Sequence, residues 1–170
     1  MKKLVLILGL ALFVNICATA QIQRHFFDFT LGETTQKEVS KYFEKNGKEL
    51  INIDDEYIVD NVKFAGNIWT CAAFYFHEGK LMRVIFLDNE NSSSNQGLDS
   101  LWKRLSNTIS DKYSSYYNEK VSKENYVVYD DDQTIVVLHY ETFEGRKSIS
   151  IMYNDRDLCD KVREEMNNDL

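Results

Sequence analysis

The chain has 170 residues and a net charge of −7, with 27 acidic and 20 basic side chains. This length is enough for one folded domain with a substantial core. Nucleic acids and anionic membrane surfaces are bound through clustered Lys and Arg, so the acidic balance argues against both kinds of partner.

The first twenty residues have the three parts of a secretory signal peptide. Lys2 and Lys3 precede an apolar run over residues 4–18, and small residues follow as a cleavage site. We predict cleavage after Ala20, which leaves an exported chain that begins at Gln21 and carries a net charge of −9. The sequence therefore indicates a secreted or periplasmic protein.

Two other readings of this N-terminal segment fit less well. An uncleaved membrane anchor needs about 20 apolar residues, and this run is shorter. Lipidation at Cys17 would place Ile16 where a small residue is normally found. No transmembrane segment is predicted in the mature chain.

A short helix is predicted near the start of the mature chain. Thr34 or Thr35 can cap its N-terminus, and Glu38 follows Thr35 at the spacing of a capping box. The pair Asn46-Gly47 supplies a C-terminal stop.

The following residues predict β-strands. One or two irregular strands are expected over residues 48–65, around an acidic turn. Two apolar runs, at residues 68–76 and 81–87, are joined by the polar segment 77–80 with its single glycine. This pattern is typical of a β-hairpin, which we place at residues 68–88.

The second half of the mature chain begins after a polar segment at residues 89–95, the strongest linker signal in the sequence. Apolar side chains then recur at i, i+3 and i+4 for five turns, which predicts a long helix. A terminal helix is expected from Arg156 to about Asn167. Between the two helices we predict three short strands, at residues 126–129, 134–143 and 147–153.

The two halves show a weak internal repeat. An offset of 66 residues places Gly79 on Gly145 and also matches apolar positions of the two helices. We therefore predict pseudo-repeats at about residues 32–89 and 98–155, each a helix followed by antiparallel strands. The expected fold is α+β: two tandem units forming one antiparallel sheet, with both helices on one face and the other face partly open.

The segments 29–39 and 62–66 and the hairpin motif Phe-His-Glu-Gly-Lys-Leu at residues 76–81 carry a family resemblance. They resemble small secreted proteins of Bacteroides-type bacteria, whose units are similar to the β-lactamase-inhibitor-protein fold and to outer-membrane assembly lipoproteins of the SmpA/OmlA type. The resemblance implies a fold and a compartment, and it assigns no catalytic residue. It also implies an alternative function, that of a structural envelope-assembly factor.

Cys71 and Cys159 are the two cysteines of the mature chain. In an oxidising compartment they could form one disulfide, which would close a long loop. They could equally be two buried free thiols that pack as small apolar residues. Spacing alone does not distinguish these alternatives.

No catalytic constellation is evident in the sequence. His25, His77 and His139 lie on different predicted elements, and no Gly-x-Ser-x-Gly elbow accompanies them. The acidic run 130–132 lacks the frame of an EF-hand loop and reads as a solvated turn. We predict neither a metal nor a cofactor; a small hydrolase remains as a weaker alternative that would need His77 or His139 beside a carboxylate in a cleft.

The remaining indication of function in the sequence comes from its aromatic residues. Strict alternation along the first hairpin strand places Trp69 and Tyr75 on one face, which we expect to be open to solvent or to a partner. The opposite, more apolar set should then meet the helices; it consists of Ile68, Ala72, Phe74 and Phe76. The sequence thus predicts a non-enzymatic exported binding module, with Trp69 and Tyr75 as anchors for another envelope or extracellular protein.

Overall fold

The computed structural model describes residues 21–89 and 97–168. The predicted α+β class is confirmed: a large antiparallel sheet is accompanied by three helices. The helices are α1 (Gln36–Lys45), α2 (Leu98–Tyr113, continued by a 3-10 turn at Ser114–Tyr116) and α3 (Arg156–Asn168). The strands are β1 (His25–Phe26), β2 (Phe29–Thr30), β3 (Ile51–Ile53), β4 (Glu56–Phe64), β5 (Asn67–His77), β6 (Lys80–Asn89), β7 (Tyr126–Asp130), β8 (Thr134–Phe143) and β9 (Arg146–Asp155).

Seven of these strands form one sheet in the order β3-β4-β5-β6-β9-β8-β7. Each half of the chain contributes a meander of sequential neighbours, and the two meanders join where β6 pairs with β9. The short strands β1 and β2 form a separate two-stranded ribbon. Three parts of the sequence interpretation, namely the signal peptide 1–20, Cys17 and most of the 89–95 linker, lie outside the described residues.

The two tight hairpin turns each contain a Glu-Gly pair with the same backbone conformation. In the β5–β6 hairpin, Glu78 and Gly79 both have positive φ angles, 49° and 75°. In the β8–β9 hairpin, Glu144 and Gly145 have almost the same values, 50° and 77°. Two consecutive residues with positive φ are characteristic of type I′ turns, whose twist matches that of the flanking strands.

Helix α1 begins at the predicted capping box. The Thr35 hydroxyl accepts a hydrogen bond from the Glu38 N–H, and the Glu38 carboxylate accepts one from the Thr35 N–H at 2.8 Å. The helix buries Val39 and Phe43 against the sheet, where the Phe43 ring lies 5.4 Å from that of Phe74.

Helices α1 and α2 pack on the same face of the sheet, which we call the covered face. This packing forms the hydrophobic core, and it agrees with the predicted placement of both helices on one side. Helix α2 contributes one stripe of buried side chains, Leu98, Leu101, Leu105, Ile109 and Tyr113. The sheet contributes Val59, Val62, Trp69, Ala72, Phe74, Val84, Phe86, Ile151 and Tyr153, among others.

Helix α3 lies at one end of the opposite face. It follows β9 directly, and the Asp155 carboxylate caps it by accepting a hydrogen bond from the Leu158 N–H at 2.9 Å. Its first residue, Arg156, is paired with Asp130, and Lys161 reaches Glu78 at the tip of the β5–β6 hairpin. These ion pairs place the helix across the strand ends.

The segment before β1 is held by a partly buried ion pair and its hydrogen bonds. The Arg24 guanidinium donates to Asp155 at 2.5 Å and to the Leu31 carbonyl at 3.0 Å. Gly32, with φ of 78°, passes so close that a Cβ there would lie 2.6 Å from Asp155 Oδ2. Asp155 thus pairs with the N-terminal segment and also caps helix α3.

Candidate functional site

The sheet face opposite α1 and α2, which we call the open face, carries a continuous apolar row. Antiparallel register brings one apolar side chain from each strand into line, and directly opposed Cβ atoms are about 5 Å apart. From β3 to β7 the row consists of Ile51, Ile58, Ala73, Ile85, Met152, Val137 and Val128.

The row is most accessible at its β3 end. Ile51 is 44% exposed, and Ile53 beside it is 53% exposed. The four central members of the row are half-buried, whereas Val137 and Val128 at the far end are buried. Side chains on an uncovered sheet shield one another, so half-burial is expected there without any covering element.

A polar row separates the apolar row from α3. Tyr75, Arg83 and Asn154 are neighbours on β5, β6 and β9. The Arg83 guanidinium lies 5.5 Å from the centre of the Tyr75 ring and donates to Asn154 Oδ1 at 2.6 Å. Burial and the nearby Glu56 carboxylate raise the pKa of Tyr75 to about 12, so this phenol is neutral at physiological pH.

Cys71 and Cys159 are both half-buried free thiols in the structure, the second of the two alternatives left open by the sequence. Burial, and secondarily the Asp60 carboxylate, raises the pKa of Cys71. Burial also raises the pKa of Cys159, although Arg83 acts in the opposite direction. Both thiols are therefore mainly protonated near neutral pH, a poor state for a nucleophile or a metal ligand.

The prediction that Trp69 belongs to an open face is wrong. Trp69 is completely buried on the covered face, and its indole N–H donates to the Phe64 carbonyl at 3.1 Å. Ile68, which was expected to meet the helices, is instead 58% exposed. Tyr75 does lie on the open face, where it is half-buried beside Arg83.

The cause is a break in strand alternation. Val59 pairs with Ala72 and Val62 pairs with Trp69, and all four side chains are buried although each strand advances by three residues. Asn61, between the two valines, has a φ of 53° that rotates the chain locally. The sequence shows two valines three residues apart, Val59 and Val62. This spacing indicates a break in strand alternation only once the pairing of β4 with β5 is known.

The three histidines are far apart in the fold. His25 exchanges a hydrogen bond with Thr30 at 2.9 Å, and the His77 ring lies 3.4 Å from Glu165 of α3. His139 lies on β8, its ring centre 5.4 Å from that of Tyr126. The structure thus brings no two of them together.

The acidic turn after β7 has structural partners. Asp130 pairs with Arg156, and Asp131 accepts hydrogen bonds from the Ile22 and Thr134 N–H groups at 2.7 and 2.8 Å. Within residues 21–89 and 97–168, no three His, Cys, Asp or Glu side chains are placed to hold a metal ion. In the same ranges no helix is long and apolar enough to cross a membrane.

The chain belongs to a protein family whose model is described as "Uncharacterised protein" and matches residues 26–170. Neither the curated proteins nor the solved structures contain a match.

Proposed function

We propose that the protein is an exported, non-enzymatic binding module that engages another protein through its open face. The apolar row that crosses all seven strands carries this proposal. Its members from Ile51 to Met152 are exposed or half-buried, and an accessible contiguous apolar patch on a soluble protein often marks an interaction site.

The dimensions of the row favour a macromolecular partner. The accessible part of the row crosses five strands, from Ile51 to Met152, which at a spacing of about 4.8 Å makes it roughly 20 Å long, enough for contact with another protein. The row is a strip across a sheet and not a pocket, so a partner with an apolar surface of similar breadth fits it best. The acidic balance of the chain opposes anionic membranes as the occupant.

Export is part of the proposal and rests on the sequence of residues 1–20. The intact mass of the protein recovered from outside the cytoplasm should correspond to a chain that starts at Gln21. A lipidated N-terminus at Cys17 would instead favour the envelope-assembly alternative.

A duplicated origin would account for the shape of the open face. Helix α1 followed by β4-β5-β6 and helix α2 followed by β7-β8-β9 are placed in mirrored order about the β6–β9 pair. The matching turn conformations at Glu78-Gly79 and Glu144-Gly145 also support this proposal. The resemblance to tandem β-lactamase-inhibitor-like units is compatible with it, and two meanders joined in one sheet would give a broad open face.

Charge placed in the apolar row should abolish partner binding without unfolding the protein. The double variant Ile58→Lys/Ile85→Lys removes two half-buried contacts, each at a cost of about 1 kcal/mol of stability. We expect a partner captured from envelope extract by the wild-type protein to be lost, with the far-UV circular dichroism unchanged.

The matched control is Val121→Lys/Met166→Lys, which adds the same charge at positions that are 48% and 66% exposed outside the sheet. This variant should retain the partner. If both double variants lose the same partner, or neither does, the open face is not the binding surface.

A further inference from the structure

The covered face contains a second feature that the proposed function does not use. A cavity of about 130 Å³ lies between α2 and the sheet. Trp69, Leu105, Ile109 and Ile151 form apolar walls, and all four are buried. The exposed residues Arg104, Thr108 and Lys112 follow one another at four-residue steps along α2 and form one rim.

The charge around this cavity is opposite to that of the whole protein. The chain has seven more acidic than basic side chains, yet Arg104 and Lys112 line the cavity and no carboxylate of residues 21–89 and 97–168 does. The Lys112 ammonium lies 5.0 Å from the centre of the Tyr113 ring, which is itself part of the wall. A cationic rim above an aromatic and aliphatic interior suits an anion attached to an apolar ring.

Tyr153 adds a polar group inside the cavity. The residue is only 4% exposed and lines the cavity, and its hydroxyl has no hydrogen-bond partner among the described residues. Burial and the neighbouring Tyr113 raise its pKa, which keeps it protonated and able to donate a hydrogen bond. Buried hydroxyls are normally paired, so this hydroxyl is available to donate a hydrogen bond to a ligand in the cavity.

We propose that this cavity binds a small monocyclic aromatic carboxylate. The ring would lie against Trp69 and Ile151, and the carboxylate would accept a hydrogen bond from Tyr153 beside Lys112. The volume of about 130 Å³ limits the buried part of the ligand to a single ring, since an engineered apolar cavity of about 150 Å³ holds benzene. A bicyclic or longer ligand would not fit.

Three probes of nearly identical shape test the proposal: benzoate, benzamide and benzamidine, which are anionic, neutral and cationic. Titration calorimetry of the purified protein should give the order benzoate, then benzamide, with benzamidine not bound. The indole N–H resonance of Trp69 should shift with benzoate, which locates the ligand in the cavity. Equal binding of all three probes, or no binding of benzoate, would overturn the proposal.

Variants separate the polar contributions. Tyr153→Phe removes only the unpaired hydroxyl and should weaken benzoate binding about tenfold, the effect of one hydrogen bond to a charged group. Lys112→Met keeps the aliphatic stem over Tyr113 and should weaken binding several-fold, less so at high salt. Lys103→Met changes the same charge on α2 outside the cavity and should leave affinity unchanged. Equal effects of the two lysine variants would contradict the assigned site.

None of these results depends on the open face, so the two proposals are tested independently of each other.

Discussion

Gly32 illustrates how a single residue can hold two distant parts of this chain together. Its backbone lies against Asp155, the residue that caps α3 and pairs with Arg24. The side chain of Asp155 is 6% exposed, so its carboxylate cannot move away into solvent without losing both partners. The N-terminal segment and the last helix are therefore coupled at this position.

Gly32→Ala should destabilise the protein much more than Gly79→Ala. Both glycines have φ near 75°, where an L-residue costs about 1–2 kcal/mol. At Gly79 a Cβ meets nothing within 4 Å, so this backbone cost is the whole effect. At Gly32 the Cβ also displaces Asp155, and we expect a total loss of about 3–5 kcal/mol. Urea denaturation of the two variants measures the difference, and equal losses would show that Asp155 is not held in place.

Trp69 shows where inference from single residues fails. Its aromatic character suggested a binding anchor, but its indole N–H is satisfied by a backbone carbonyl and its ring contributes to the core. Alternation is a reliable guide only while a strand is regular, and the local rotation at Asn61 reverses the face. Tyr75, which lies beyond this break, is half-buried beside Arg83 on the face opposite α1 and α2.

At the level of elements, the start of α1 depends on the reciprocal hydrogen bonds between Thr35 and Glu38. Hydrogen bonds from the Thr35 backbone and side chain lower the pKa of Glu38 below its ordinary value of 4.5. Because the folded-state pKa is lower than the unfolded one, the carboxylate stabilises the fold above the unfolded pKa. That stabilisation is lost as the pH falls through the folded-state pKa.

Glu38→Ala should therefore be less stable than the wild type at pH 7, and the difference should shrink as the pH falls from the ordinary value of 4.5 through the lower folded-state pKa. Thr35→Ala should cost about 1 kcal/mol at pH 7, and part of this loss should persist in acid, because the hydroxyl still caps the Glu38 N–H. Denaturant titrations at pH 7 and pH 3 compare the two. A Glu38→Ala deficit that is independent of pH would mean that the capping box does not act through the carboxylate.

Most elements could be predicted because their signals are local. The capping box at Thr35 and the Glu-Gly turns before Lys80 and Arg146 define boundaries within a few residues, and the structure confirms them. The apolar row could not be predicted, because it depends on the register between strands far apart in sequence. Ile85 and Met152, for example, are 67 positions apart and become neighbours only through the β6–β9 pair.

At the scale of the whole molecule, the two faces of the sheet have different tasks. The covered face carries the hydrophobic core and the cavity beneath α2. The open face carries an apolar row whose central members are only half-buried, with α3 at one end. The main core lies on the covered face and α3 lies at one end of the open face, so the rest of the open face is available for a partner, which is the basis of the proposed function.

Site-specific photo-crosslinking tests that function most directly. A benzophenone side chain placed at Ile85, in the centre of the row, should crosslink to another protein in the producing cells, while the same group at Val121 should not. A crosslinked partner at Ile85 that disappears when Ile58→Lys is added would establish the open face as the binding surface. Absence of crosslinks at Ile85, or equal yields at Ile85 and Val121, would contradict it.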